Sequence, residues 1–174
     1  GGGWQAGCVA LDLAGASRAC TRLGRAAVGR TTGTGVADTR ARSAGRGRVP
    51  GIVDADTGCG NALSTQRTVG GFERAGAAMV HVEDQVNPKR CGHLDGKAVV
   101  DESTALKRIA AAVAARRDPD FLIMARTDIR GLALDSGGGL DAAVDRAKRL
   151  ADAGADAIFP GASGWPVDFA AIRA

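Results

Sequence analysis

At 174 residues, 45% hydrophobic and 24% charged, the chain is long enough for one domain with a real core and has the composition of a globular protein. The formal charge of +4 is uneven: residues 1–50 hold eight Arg against two Asp, which leaves the remainder near neutral and argues against a nucleic-acid-binding field over the whole surface. No charged leader opens the chain, no run of about 18 apolar residues occurs, and the cysteines at 8, 20, 59 and 91 form no CxxC, so a cytoplasmic protein with reduced thiols and no membrane partner is expected.

Residues 1–49 come first and read poorly. "TRLGRAAVGRTTGTGVADTRARSAGRGR" (21–48) has Gly every few positions, almost no large apolar residues and no sustained period. Such a stretch cannot bury enough surface to offset its ordering entropy. The chain therefore divides into an atypical Gly/Arg-rich segment, 1–49, and a folded unit, 50–174.

From Val49 the pattern becomes regular. "GIVDAD" (51–56) is an apolar run ending in acids, and "LSTQRTVGGFERAGA" (63–77) places Leu63, Val69 and Phe72 at helical spacing. "AMVHVED" (78–84) predicts a strand. "DESTALKRIAAAVAARR" (101–117) predicts a helix with Leu106, Ile109 and Val113 on one stripe, Asp101 as N-cap and Asp118-Pro119 as the stop. "DFLIMARTD" (120–128) is a third strand, "LDAAVDRAKRLADAGA" (140–155) an Ala-rich helix and "DAIFP" (156–160) a fourth strand. Short apolar strands alternating with helices argue for buried parallel strands with crossover helices. "RAGAAMVHVED" is echoed by "DAGADAIFPGA". The expected fold is α/β, a partial (β/α)8 TIM-type barrel.

In barrels of that kind the chemistry collects at the C-terminal ends of the strands. Asp54 and Asp56 close the first strand and, at i and i+2, share a face; Glu83 and Asp84 close the second, Arg126 and Asp128 the third. Strands lie about 4.8 Å apart, so Asp54, Asp56 and Glu83 can converge on Mg²⁺, which takes one or two carboxylates and keeps several waters. The plainer alternative makes Asp54 and Asp56 turn or cap residues ahead of Thr57-Gly58.

"KRCGH" (89–93) is the other cluster. Lys89, Arg90 and His93 would lower the Cys91 thiol and poise it for proton transfer. Gly92 lets its N–H approach an anionic oxygen. Cys59, between two glycines, reads as a small packing residue, and His81, in mid-strand, as a core histidine rather than a ligand.

"KRCGHL" (89–94), "VDADTGCGN" (53–61), "HVEDQVNPKRCGHLDGKAVV" (81–100), "DPDFLIMARTD" (118–128) and "GLDAAVDRAKRLADAGADAIFPGA" (139–162) together resemble the isocitrate lyase and phosphoenolpyruvate mutase superfamily, most closely its 2-methylisocitrate lyase branch. The resemblance implies Mg²⁺-dependent retro-aldol cleavage of a small tricarboxylate into succinate and a 2-oxo acid. It implies Asp54 bound directly to Mg²⁺, with Asp56 and Glu83 beside it or acting through its waters. It makes Cys91 the proton donor to the succinate-side carbanion, on a closing loop, with Gly92, His93 and Arg126 on substrate carboxylates.

The chain departs from that pattern at three places. Gly161 stands where the family usually has Glu after "FP", and Gly1-Gly2 is at best a remnant of the Ser-Gly-Gly that holds the 2-oxo acid. The sequence also stops at Ala174, short of a full barrel. The last departure implies weak or no turnover, and it weakens the homo-oligomer that the family would suggest. Isocitrate, a dimethylmalate-type acid and phosphonate mutase chemistry remain alternatives, as does a non-catalytic remnant that binds an anion.

Overall fold

The computed structural model describes residues 52–87, 89, 96–134 and 137–161. Strands β1 (Ile52–Asp54), β2 (Met79–Glu83), β3 (Leu122–Thr127) and β4 (Ala157–Pro160) form one sheet in the order β1-β2-β3-β4, every pair parallel. Helices α1 (Ala62–Arg74), α2 (Glu102–Ala115) and α3 (Leu140–Asp152) connect them in turn. Consecutive strands lying side by side with a helix in every crossover is the α/β arrangement expected from the alternation. Among the described residues no helix is long and apolar enough to cross a membrane.

The helices start where side chains can satisfy their free N–H groups. Asn61, which the sequence reading passed over, accepts from the Ser64 amide at 2.9 Å. Asp101 caps α2 as expected, accepting from the Thr104 amide at 2.9 Å and its hydroxyl at 2.6 Å. That helix ends at Ala115 rather than at the Asp118-Pro119 stop, because Arg116 turns extended (φ −64°, ψ 134°).

Strand periodicity sorts the side chains. Val53, Val80, Val82, Ile123 and Ala125 point to the helix side and form one core with Val69 and Phe72 of α1, Ile109 and Ala112 of α2 and Leu150 of α3. Leu63, which shares the helical spacing of Val69 and Phe72, is 58% exposed while those two are buried. Alternation then commits Asp54, His81, Glu83, Arg126 and Phe159 to the opposite face.

Two buried arginines tie helices to strand ends. Arg108 of α2 donates to the carbonyls of Gly60 (3.1 Å), Glu83 (3.4 Å) and Gln85 (3.2 Å). Arg146 of α3 donates to the Asp84 carboxylate at 3.4 Å and to the Val100 carbonyl at 3.2 Å. The β1–α1 turn is equally constrained. Gly58 sits at φ +67°, and a Cβ there would lie 2.4 Å from Thr65 Oγ1.

Two changes test these ties. Arg108→Met removes one donor shared by three carbonyls and should lower unfolding free energy by about 2 kcal/mol, read from urea denaturation. Gly58→Ala adds both left-handed strain and the Thr65 clash and should cost about 1–3 kcal/mol in the same measurement.

Candidate active site

The strand registers set the site. Asp54 is paired with His81, and Glu83 with Arg126, which is in turn paired with Phe159. Asp56 lies past the end of β1 in the left-handed region (φ 50°), yet its carbonyl accepts the Glu83 amide at 2.7 Å. Asp56 therefore reaches the level of Glu83 through a turn, not through the simple strand alternation the sequence suggested. Asp54 Oδ1 accepts the Asp56 amide at 2.8 Å and lies 3.0 Å from His81 Nε2. The turn-residue reading of Asp54 is thus correct for one of its oxygens. The other, Oδ2, is buried with no hydrogen-bond partner.

After β2, Val86 donates its amide to Ala98 and Val100 donates to Asp84, both at 2.8 Å, around an antiparallel bridge between Gln85 and Val99. The Lys89 ammonium contacts Asp56 Oδ1 and lies 3.7 Å from Glu83 Oε1. Arg126 approaches Glu83 Oε2 at 3.5 Å through Nη1. Its Nε and Nη2 bind Asp128 at 3.1 and 3.3 Å, and its guanidinium lies 5.2 Å from the Phe159 ring centre. Apart from ion pairs, neither oxygen of Glu83 has a hydrogen-bond partner, although the residue is only 1% exposed.

The charges decide how these acids behave. Burial pushes the Glu83 carboxyl up to about 7 against the pull of Lys89 and Arg126. Burial likewise lifts Asp56, although its bond to Lys89 opposes this. For Asp54 burial is outweighed by His81, the Asp56 amide and Lys89, and its carboxyl stays below the usual value. Burial would lower Lys89, but Asp56 and the neighbouring acids raise it. An ion pair at 4 Å is worth about 4 kcal/mol at an effective dielectric of 20, comparable with the several kcal/mol that burying one carboxylate costs. Lys89 is shared between Asp56 and Glu83, and Arg126, bound to Asp128, adds only a 3.5 Å pair to Glu83.

The donor set fits a hard divalent cation: it consists of oxygens alone, on neighbouring strand tips, with unpartnered buried atoms on Asp54 and Glu83. Among the described residues no group of three or more His, Cys, Asp or Glu side chains already converges to ligating geometry, so a cation would have to draw these acids together.

Of the sequence-predicted site residues, the structure brings Asp54, Asp56, Glu83 and Arg126 to one end of the sheet. Cys91, Gly92 and His93, and likewise Gly1 and Gly2, lie outside the described residues. Lys89, expected to act on the thiol, is committed to the acids. His81, expected in the core, is on the site face beside Asp54, and the register of β1 against β2 is what locates it. Cys59, expected only to pack, is disulfide-bonded. Gly161 leaves room for Asp128: a Cβ there would lie 2.3 Å from Asp128 Oδ1.

Known proteins resemble this chain in sequence and in fold. The 2-methylisocitrate lyase of Shewanella oneidensis is 46% identical over 155 residues, covering 89% of this chain and 51% of that protein. The crystal structure of a 2,3-dimethylmalate lyase, described as a PEP mutase/isocitrate lyase superfamily member, superposes with a TM-score of 0.71 at 31% identity, covering 95% of this chain and 60% of that one. A phosphonopyruvate hydrolase solved in complex with oxalate and Mg²⁺ superposes with a TM-score of 0.66 at 28% identity, with the same coverages of 95% and 60%. The chain spans about half the length of the curated relatives it matches. The family model for phosphoenolpyruvate phosphomutase matches residues 4–171, and this chain belongs to that family, within the PEP mutase/isocitrate lyase superfamily.

Proposed function

We propose that the chain serves a Mg²⁺-dependent carbon–carbon lyase that cleaves 2-methylisocitrate into succinate and pyruvate. The observation that carries this reading is the set of buried, unpartnered carboxylate oxygens on Asp54 and Glu83 at adjacent strand ends. The names of its relatives point the same way. Asp54, Asp56 and Glu83 would hold the ion, whose chemistry when bound is to polarise the oxygen of the developing 2-oxo acid.

The remaining work belongs to the chain's own side chains. Arg126 has two nitrogens tied to Asp128 and only the longer Nη1 pair to Glu83, so Nη1 is the edge that would take a substrate carboxylate. Cys91 would deliver a proton to the succinate-side carbon as the C–C bond breaks, turning that electron pair into a C–H bond. Gly92 and His93 would bind a second carboxylate, and Gly1-Gly2 would face the 2-oxo acid. The structural likeness to a 2,3-dimethylmalate lyase supports 2,3-dimethylmalate as a second candidate substrate. Pyruvate would form from either, with succinate or propionate as the other product.

Calorimetry on the full chain should show 2-methylisocitrate binding that requires Mg²⁺ and is lost in EDTA. Any pyruvate release, followed with lactate dehydrogenase, should fall by about two to four orders of magnitude in Cys91→Ser while binding persists. Turnover unchanged in that variant sinks the proton-donor role, and binding indifferent to EDTA sinks the cation.

A pH test follows from Glu83. The ion binds the ionised carboxylate, and burial holds this one near 7. Affinity should therefore rise about tenfold between pH 6 and pH 8 as the competing proton leaves. Mn²⁺ titrations at the two pH values check this, and Glu83→Gln should bind more weakly with the dependence flattened.

A further inference from the structure

Two of the oxygens that a divalent ion would need are already faced by a cation of the chain itself. Lys89 Nζ touches Asp56 Oδ1 and lies 3.7 Å from Glu83 Oε1; the lysine side chain is 20% exposed, those of the acids 6% and 0%. Lys89 therefore makes one short pair, to Asp56, and one long one, to Glu83, and both are contacts between opposite charges. An ammonium is a compact point charge on a flexible stem and imposes little geometry on its partners.

The other cation at the cluster is fixed differently. Arg126 approaches Glu83 from the opposite oxygen and is anchored at two nitrogens by Asp128, with Phe159 beside its guanidinium. Withdrawing it would leave the Asp128 carboxylate, buried in the sheet end, short of two donors. Withdrawing Lys89 breaks only its two contacts to the cluster acids. If a second cation arrives, the lysine is the one that yields.

Resting on the divalent-ion reading of the cluster given above, we propose that Lys89 is a tethered internal cation that occupies the Asp54–Asp56–Glu83 cluster and is expelled when a divalent ion binds there. Ion and ammonium exclude each other because both need Asp56 Oδ1 and Glu83 Oε1. Binding is thereby ordered. The expelled ammonium becomes free to attract an anionic ligand only after the ion is seated, so a polycarboxylate meets added positive charge in the ion-loaded protein and a self-neutralised site without it.

The test uses Mn²⁺ as the probe on the full chain, with the free ion followed by electron paramagnetic resonance. Lys89→Met should bind Mn²⁺ about tenfold more tightly than the unsubstituted chain. Lys107→Met, which removes the same charge from an exposed position on α2, should change affinity far less. A second measurement needs no variant: reductive dimethylation with peptide mass mapping should find Lys89 protected relative to Lys107 without ion and exposed in saturating Mn²⁺. Equal affinity in Lys89→Met and the unsubstituted chain, or Lys89 labelling that Mn²⁺ leaves unchanged, overturns the exclusion while leaving the cluster as an ion site. Absence of Mn²⁺ binding by both chains overturns the divalent-ion reading itself.

Discussion

The side of the sheet on which a carboxylate emerges governs the rest of this structure. In parallel strands buried against helices, alternation gives every second residue to the core, here Val53, Val80, Val82, Ile123 and Ala125. The intervening positions must then be filled by something that tolerates the opposite face. In this chain they carry Asp54, His81, Glu83 and Arg126. The apolar core fixes the register, and the register forces acids of like charge into one neighbourhood with little water. Their mutual repulsion and desolvation are met by two cations, Lys89 and Arg126, and His81 Nε2 lies 3.0 Å from Asp54 Oδ1.

The strand-end acids fall into two kinds, separated by hydrogen bonding rather than by burial. Asp84 accepts from the Thr127 hydroxyl at 2.6 Å, the Asp128 amide at 3.0 Å and Arg146 at 3.4 Å. Asp128 accepts from Gln85 at 3.0 Å and from two nitrogens of Arg126. These acids are saturated and act as braces, locking the ends of β2 and β3 together. Glu83, one residue before Asp84, meets only ion pairs at its carboxylate. A buried acid left in that condition is expensive as pure structure, which is what supports the ion-holding role proposed for it.

Much of the fold was legible in the sequence because it depends on local signals. The alternation of short apolar runs with helical stretches marks the four strands and three α-helices of the described residues, and Asp101 announces the start of α2. Boundaries slipped where one backbone angle decided them, as at Arg116. The acids at 54, 56 and 83 were legible as a set because each closes an apolar run. Their environments were not. Adjacent Glu83 and Asp84 look alike in sequence, and only the direction of the side chains shows that one is braced and the other is not. Lys89 stands two residues from Cys91 in sequence, and that proximity is visible where its contacts with Asp56 and Glu83 are not. His81 shows the same limit: a lone histidine in an apolar strand looks like core, and it takes the register to set it opposite Asp54.

Gly161 has a consequence for any attempt to rebuild a side chain there. The space its Cβ would claim is the space in which the Asp128 carboxylate leans toward Arg126. Any side chain there would push the Asp128 carboxylate aside and disturb the two bonds by which it anchors Arg126. Positions 161 and 128 are therefore sterically coupled, and the aim of the arginine depends on both.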